Sequence, residues 1–361
     1  MVVVAGINAR NAVRSARISG YSVCAVAKYC DEDLKLYSDE YYRFGEINEA
    51  VNLVVRLCEE KNTFAVLTTG LEKLLREVKK KVEVAGNFNR KCLDKLKFYR
   101  ELDRAGIVYP ELEPDAGKLI LKPRFGGGGV GTSFLGANLD VDDSDKSKYD
   151  KSKYIVQRYI EGETVSAIVL SNGRSAKCVA LNRLLSGWKE MNARGFLYSG
   201  NVTPLENSRF GIDFSRVRRI SEEVASLFDV EGCCGVDMVA GKNEIFTLEL
   251  NPRIPGSLDS FELSYGVSLF DLHVKVFEGK LTPEKINLKP KRVACRAVYY
   301  SPGRVRAFIS PHNPFFADIP SWGEVFEPFQ PLVSIISTGK GSLNKVLERK
   351  KFLERLCLKV A

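Results

Sequence analysis

The stretch GVDMVAGKNEIFTLELNPR, residues 235–253, predicts two β-strands joined by a tight turn. Because side chains alternate between the two faces of a strand, Glu249 and Asn251 point to the same side. The turn brings Asp237 opposite position 248 or 249 of the second strand. Two carboxylates this close repel one another unless a cation lies between them. These carboxylates and the side-chain amide oxygen of Asn251 are hard ligands that suit Mg²⁺. Oxygen atoms of phosphate and water would fill the remaining coordination positions.

A glycine-rich loop lies upstream, in KLILKPRFGGGGVGTSFL, residues 118–135. Apolar strand residues lead to Lys122, and glycines follow at positions 126–129 and 131. The backbone N–H groups of such a loop can surround a polyphosphate. No Gly-Lys-Ser/Thr and no helix pattern follow, which excludes a Walker loop and a dinucleotide-binding fingerprint. Taken singly, the loop could be a flexible hairpin tip and the acidic hairpin a solvated surface feature. The presence of both argues against these alternatives.

Together the two elements resemble the ATP-grasp superfamily of carboxylate–amine and carboxylate–thiol ligases, which includes a biotin-carboxylase-related branch. The resemblance implies an α/β (α+β) chain with the ATP-grasp fold: an N-terminal open parallel α/β domain, two α+β subdomains clasping ATP, and a C-terminal cap. The corresponding ranges are 1–85 for the N-terminal domain, 86–155 for the A subdomain with the glycine loop, 156–284 for the B subdomain with the metal hairpin, and 285–361 for the cap.

The resemblance also implies roles for individual side chains, which are carried over from matching motifs. Contacts to ATP are expected from Lys95, Lys122, Gly127, Gly128, Gly129, Gln157, Arg158, Ile160 and Glu163. Metal ligation is expected from Asp237, Glu249 and Asn251, and catalytic roles from Arg253, Lys122 and Asn251. Many relatives have a glutamate where Gln157 stands, so its contact to adenine is expected through the backbone. For Lys95 and Glu163, an ordinary surface role is the alternative.

Four further polar residues follow from the same comparison, without a defined role. Arg183 and Asn201 are candidates for the acceptor side of the reaction. Asp259 and Glu262 follow the hairpin, and either touch the substrate or support a residue that does. The implied cofactors are ATP and Mg²⁺, with Mn²⁺ as an alternative metal.

Composition excludes several other classes of protein. The 361 residues are 45% hydrophobic and 27% charged, as in ordinary globular proteins. No apolar run reaches the roughly 18 residues of a membrane span. The nine cysteines are scattered and odd in number, which predicts reduced thiols in a cytoplasmic protein. Only two histidines occur, which argues against a histidine-built zinc site. The net charge of +9 comes from interleaved cations and anions, so nucleic acid is not an expected partner.

Along the chain, alternating strand and helix patterns over residues 1–85 predict a parallel sheet, closed by a short strand over VEVAG, residues 82–86. Residues 137–153 are polar and without periodicity, which predicts a loop or a disordered insert. A helix is predicted from Asp213, as its N-cap, to Phe228.

The expected function is an ATP-dependent carboxylate–amine ligase acting on small molecules through an acyl phosphate, with a homodimer as one allowed assembly. Two alternatives remain open at this point. One is a carboxylase-type enzyme that activates bicarbonate as carboxyphosphate, and the other is a nucleotide-binding regulatory protein without turnover.

Overall fold

A computed structural model of the chain describes residues 1–135, 149–208 and 211–361. It opens with a parallel four-stranded sheet whose order is β3-β2-β1-β4. The strands are β1 (Val2–Gly6), β2 (Val23–Ala27), β3 (Glu40–Arg43) and β4 (Ala65–Leu67). The helices between and after them are α1 (Arg10–Ile18), α2 (Glu32–Tyr37), α3 (Ile47–Lys61) and α4 (Leu75–Lys79). Every residue of β1 and β2 is buried, as expected of central parallel strands covered on both faces.

The prediction of a strand over residues 82–86 is wrong. Val84 forms a single isolated bridge to Ala65 in place of a strand. The chain leaves the sheet directly afterwards because Gly86 has a φ of 121°, outside the extended range.

The A subdomain consists of one helix and a small antiparallel sheet with the order β6-β5-β7. Its elements are α5 (Lys95–Arg104), β5 (Leu119–Pro123), β6 (Ser133–Phe134) and β7 (Tyr154–Arg158). The glycine loop joins β5 to β6. Of the predicted insert 137–153, residues 137–148 lie outside the described residues, and 149–153 form a bend and a turn that lead into β7. The predicted domain boundary at residue 155 falls inside β7.

The remainder of the chain is dominated by an eight-stranded antiparallel sheet with the order β12-β11-β8-β9-β10-β13-β17-β15. In chain order the strands are β8 (Glu163–Asn172), β9 (Ala176–Ser186), β10 (Tyr198–Thr203), β11 (Glu231–Ala240), β12 (Ile245–Asn251), β13 (Ala294–Tyr300), β14 (Val305–Ala307), β15 (Phe316–Ala317), β16 (Val325–Phe326), β17 (Pro331–Thr338) and β18 (Leu358–Val360). Strands β16, β14 and β18 form a separate small sheet. Since β13 and β17 continue the sheet of the B subdomain, the predicted cap shares a sheet with it. The division into four units stays a prediction.

Helices cover this sheet and connect it to the N-terminal domain. They are α6 (Phe214–Leu227), α7 (Leu258–Tyr265), α8 (Leu269–Phe277) and α9 (Ser342–Phe352). The carboxylate of Asp213 accepts bonds from Ser215 N and Arg216 N, which confirms the predicted N-cap of α6. Within the described residues, no helix is both long enough and apolar enough to cross a lipid bilayer.

A buried ion-pair cluster ties the N-terminal domain to the rest of the molecule. Arg10, at the start of α1, is fully buried and donates two bonds to Asp259 of α7, at 2.8 and 2.7 Å. Its Nε donates to Asp318 at 3.0 Å, just after β15. Three distant parts of the chain therefore meet at one guanidinium group, which holds the carboxyl ends of the parallel strands against the large sheet.

Candidate active site

A pocket of about 220 Å³ lies between the glycine loop and the β11–β12 hairpin. It collects most of the residues predicted from sequence, namely Lys95, Lys122, Gly127, Gly128, Gly129, Gln157, Arg158, Ile160, Asp237 and Glu249. Glu163, Asn251 and Arg253 do not line it. The pocket is therefore a single concave site assembled from both subdomains, as a nucleotide clasped between them requires.

The hairpin has the register that the sequence predicts. Asp237 on β11 is directly opposite Glu249 on β12, and Gly235 is opposite Asn251. The side-chain amide of Asn251 lies between the two acids, since its Nδ2 donates to Asp237 Oδ2 and to Glu249 Oε1, both at 3.0 Å. The three predicted metal ligands thus meet at one point.

The electrostatics of this point suit a cation. Burial, and then repulsion from Glu249, raise the pKa of Asp237 to about 7. Within the described residues no three His, Cys, Asp or Glu side chains are grouped as a metal site. The two carboxylates and the amide fit a metal that takes its other ligands from phosphate and water. A half-turn of the Asn251 amide would direct Oδ1, in place of Nδ2, toward such a cation.

Two lysines face the hairpin from the A subdomain. Lys122 is buried and donates to the Tyr99 hydroxyl at 2.7 Å, and burial lowers its pKa to about 8. The Tyr99 hydroxyl donates in turn to the backbone oxygen of Leu248 at 2.7 Å, and Leu248 is the residue before Glu249. Lys95 Nζ lies 3.6 Å from Glu249 Oε2 and donates to Gly126 O at 2.5 Å. Both ammonium groups therefore lie where the phosphates of a nucleotide would need positive charge.

The glycine loop is packed closely on both sides. A Cβ on Gly127 would lie 3.0 Å from Glu249 Oε1. Gly129 has a φ of +73°, and a Cβ there would lie 1.8 Å from the carbonyl oxygen of Phe196. Tyr198 N donates to Gly128 O at 3.0 Å. The loop thus lies between the metal hairpin and the segment before β10, and glycine is required for this approach.

The other end of the pocket follows β7. Gln157 is fully buried and its Nε2 donates to Pro110 O at 2.8 Å. The Arg158 guanidinium points away from the pocket and pairs with Glu111. Both side chains are therefore committed to other groups, and the backbone N–H of Arg158 donates to Glu111 O at 2.9 Å, so adenine recognition through the main chain stays a prediction.

An aromatic wall beside this end was not predicted. Phe134 contacts both Tyr159 and Phe196, with ring centroids 5.0 Å apart in each pair. Lys118 Nζ lies 4.1 Å from the centroid of Phe134. The position of Tyr159 between two predicted nucleotide contacts is a signal that could have identified it, whereas Phe196 lies in a loop that carries no periodic pattern.

Several predicted residues lie outside the pocket. Glu163, expected to hold the ribose, pairs with Arg183 through Oε1, while its Oε2 is buried without a hydrogen-bond partner, so the ribose contact stays a prediction. Asn201 is buried and binds the Tyr198 hydroxyl at 3.0 Å and Thr203 Oγ1 at 2.9 Å.

The two acids after the hairpin also face other side chains. Asp259 is paired with Arg10, and Glu262 accepts a bond from the Ser15 hydroxyl and one from Leu269 N at 3.0 Å. These contacts connect α7, which carries both acids, to α1 and α8.

Arg253 lies at the metal end, just outside the pocket. Its Nη2 donates to Asn251 Oδ1 at 3.4 Å, which keeps the guanidinium next to the β11–β12 hairpin. Its Nε is 3.6 Å from Glu72 Oε1, in the segment after β4. Glu72 was not singled out from sequence because nothing local links it to a position so distant in the chain.

Comparison with known proteins agrees with this geometry. Residues 92–257 match the family model described as an ATP-grasp domain. The chain contains an ATP-grasp domain. That match includes the glycine loop, all residues lining the pocket and the whole β11–β12 hairpin.

One curated relative is an uncharacterized protein of Methanocaldococcus jannaschii, which is 26% identical over 373 residues, covering 96% of this chain and 90% of the relative. Solved structures share the ATP-grasp fold over the whole chain. The L-amino acid ligase of Bacillus licheniformis has a TM-score of 0.70 and 14% identity, covering 100% of this chain and 98% of its own.

Two carboxylases also share the fold. The biotin carboxylase domain of Hydrogenobacter thermophilus 2-oxoglutarate carboxylase, solved as a dimer with MgADP and bicarbonate, has a TM-score of 0.70 and 14% identity, covering 99% of this chain and 90% of its own. Rhizobium etli pyruvate carboxylase has a TM-score of 0.73 and 14% identity over 99% of this chain, which spans only 38% of that enzyme. These similarities confirm the predicted fold.

Proposed function

We propose that this ATP-grasp protein is an ATP-dependent ligase that joins a small-molecule carboxylate to an amine and releases ADP and phosphate. The observation that carries the proposal is that Asp237 and Glu249 line one pocket with Lys95 and Lys122, while Asn251 is hydrogen-bonded to both acids. A charge pattern of acids facing lysines, closed by a glycine loop, suits a metal-bound polyphosphate. The fold shared with an L-amino acid ligase supports the choice of reaction class.

In this proposal ATP lies with its adenine along the backbone of residues 157–160 and against Tyr159 and Phe196, which line the pocket in front of Phe134. Its phosphates lie under the glycine loop. Asp237, Glu249 and Asn251 would hold Mg²⁺, or Mn²⁺ in its place. Such a metal, when bound, withdraws charge from the terminal phosphates.

The chain's own residues contribute the rest of the chemistry. Lys122 and Lys95 neutralise phosphate charge, and the glycine loop excludes water from the reacting phosphorus. An oxygen of the substrate carboxylate attacks that phosphorus while its bond to the ADP oxygen breaks, which yields an acyl phosphate. Arg253 stabilises the negative charge of this intermediate through charge-assisted hydrogen bonds. An amine then attacks the acyl carbon, phosphate departs, and the nitrogen loses a proton to solvent.

The first experiment is thermal unfolding with and without Mg·ATP, for the wild type and for Glu249→Gln. At about 100 times its dissociation constant, a ligand adds roughly 2.7 kcal/mol of stability, which raises Tm by a few degrees. We expect this shift in the wild type only when Mg²⁺ is present, and no shift in Glu249→Gln. Glu244→Gln is the matched control, because Glu244 lies at the turn of the same hairpin and pairs with Arg216. Equal shifts in all three proteins, or none, would exclude the hairpin as the metal–nucleotide site.

A second candidate, activation of bicarbonate as carboxyphosphate, is supported by the fold shared with a carboxylase domain solved with bicarbonate. ADP release that is stimulated by bicarbonate, with no organic carboxylate added, would favour it. Binding of Mg·ATP without ADP release under any substrate condition would instead favour a nucleotide-binding regulatory protein. A homodimer and a cytoplasmic location stay predictions.

A further inference from the structure

A second cavity, of about 490 Å³, lies between α4 and the segment 87–90 and is separate from the nucleotide pocket. We call it the basic pocket. Its wall consists of Glu72, Leu75, Arg76, Lys79, Lys80, Asn87, Phe88, Asn89 and Arg90. Leu75 and Phe88 are buried and provide an apolar surface, while the cations stand around it. The cavity thus combines space for carbon atoms with a positive rim.

The positive charge of this pocket is not neutralised by the protein. Among the described residues, no carboxylate oxygen lies within 4.0 Å of the cationic nitrogens of Arg76, Lys79, Lys80 or Arg90. The neighbouring Lys91, in contrast, pairs with Glu101 at 2.8 Å. The four side chains are exposed, and Lys79 also donates to Gly86 O at 3.3 Å and lies over the ring of Phe277. Four cations without a carboxylate partner around one cavity repel one another and attract anions. The ligand that relieves this repulsion is a small molecule with more than one negative charge.

The basic pocket also reaches the proposed reaction centre. Its single carboxylate, Glu72, is 3.6 Å from Arg253. Glu72 Oε2 and Arg253 Nε are both buried and have no hydrogen-bond partner in the structure. Buried polar atoms in proteins are nearly always hydrogen-bonded, so these two atoms indicate a place where a bound molecule supplies the partner. One side chain therefore separates the basic pocket from the group that would stabilise the acyl phosphate.

We propose that the basic pocket binds the anionic tail of the carboxylate substrate. This inference rests on the proposed ligase function and names its substrate class. The substrate carries at least one carboxylate or phosphate group in addition to the carboxylate that is activated. Its tail lies among the four cations, its carbon skeleton contacts Leu75 and Phe88, and the reacting carboxylate passes Glu72 to reach Arg253.

The binding test uses tricarballylate and inorganic phosphate as probes, without ATP or metal, by calorimetric titration at constant ionic strength. The test variant is Arg76→Ala/Lys80→Ala. The control is Lys73→Ala/Lys81→Ala, which removes the same charge from exposed positions of the same segment outside the pocket. Loss of two cation contacts should raise the Kd for tricarballylate about tenfold in the test variant, and less than about twofold in the control. Equal Kd values in both variants, or no binding to the wild type, would overturn the proposal.

Turnover separates a substrate from an effector. ADP release is followed with hydroxylamine as the amine and with tricarballylate or butyrate as the carboxylate. We expect kcat/KM to be higher for tricarballylate, and to fall about tenfold for tricarballylate alone in Arg76→Ala/Lys80→Ala. Equal rates with the two acids would overturn the assignment of a substrate tail. Thermal shifts with Mg·ATP distinguish failure of the ligase proposal from failure of the basic-pocket proposal. A missing shift in the wild type refutes the ligase function. A normal shift without selectivity for the anionic substrate refutes only the role of the basic pocket.

Discussion

Replacing Gly129 by alanine should weaken nucleotide binding far more than the same replacement at Gly128. The two glycines are adjacent in the loop and have similar left-handed backbone angles, with φ of +73° and +68°. Their surroundings differ. A Cβ on Gly128 meets nothing within 4 Å, whereas a Cβ on Gly129 would lie 1.8 Å from Phe196 O. Gly128→Ala therefore measures the backbone strain alone, and Gly129→Ala measures the strain plus the lost approach to Phe196.

The magnitudes follow from these distances. An L-residue in the left-handed region costs about 1–2 kcal/mol, and both variants bear this term. An ordinary C···O contact is about 3.3 Å or longer, so Gly129→Ala forces the loop and Phe196 apart by roughly 1.5 Å. That displacement removes the bond from Tyr198 N to Gly128 O, at 3.0 Å, which is worth about 1 kcal/mol. Because the backbone of Phe196, whose side chain lines the pocket, is displaced as well, we expect Gly129→Ala to bind Mg·ATP at least about tenfold more weakly than Gly128→Ala.

The assay is calorimetric titration of Mg·ATP into the wild type and the two variants. Limited proteolysis provides a second readout, because a loop that has left Phe196 and Tyr198 should be cleaved faster within residues 126–131. Both variants should keep the wild-type unfolding midpoint without nucleotide to within a few degrees, since the loop is at the surface of the pocket. If the two variants bind Mg·ATP with the same affinity, the contact with Phe196 does not hold the loop in its binding conformation and the reasoning fails.

Three further predictions concern buried charges. Arg10→Met should lower the free energy of unfolding in urea by about 3–5 kcal/mol, because it leaves buried acids unpaired, while Arg17→Met, at an exposed pair, should change it by less than about 1 kcal/mol. Lys122 has a pKa lowered to about 8 by burial, so Mg·ATP affinity should fall as pH rises above 8, and Lys122→Met should bind weakly at every pH in calorimetric titrations. Burial raises the pKa of Glu262 to about 7, so the fold favours its protonated form. Stability in urea should therefore fall between about pH 4.5 and 7 by up to roughly 3 kcal/mol, and Glu262→Gln should lack this decrease.

The parts of the site that the sequence predicted are those built from local patterns. Strand alternation and a short turn, both readable within 20 residues, place Asp237 opposite position 248 or 249, and a register shift between Asp237 and Met238 selects Glu249. The glycine run predicted a loop after a strand, and glycines 126–129 and 131 do lie between β5 and β6. Asp94, directly before Lys95, caps α5 through Leu96 N, which places the lysine at the first turn of the helix. Each of these features is decided by neighbours in the sequence.

The remainder depended on contacts between distant segments, which one sequence does not encode visibly. The ion pair between Glu163 and Arg183, on the neighbouring strand, is one such contact that the sequence did not predict. Phe196 contributes to the nucleotide pocket only because its loop folds back over β6. Residues 40–43 alternate between exposed and half-buried positions at the sheet edge, too short a pattern to be recognised as β3. Tertiary packing, rather than propensity, decided these positions.

The difference between local and distant contacts also applies to the proposed substrate site. The nucleotide half of the site lies within residues 92–257, which match the family model. Glu72, whose carboxylate lies 3.6 Å from Arg253 Nε, belongs to the predicted N-terminal domain, as do most residues of the basic pocket. Arg10 and Asp259 hold this domain against the large sheet in a fixed position. Under the proposed ligase function, we therefore expect the segment after β4 to decide which carboxylate this chain binds. The identity of the carboxylate should therefore be sought by varying Glu72 and its neighbours.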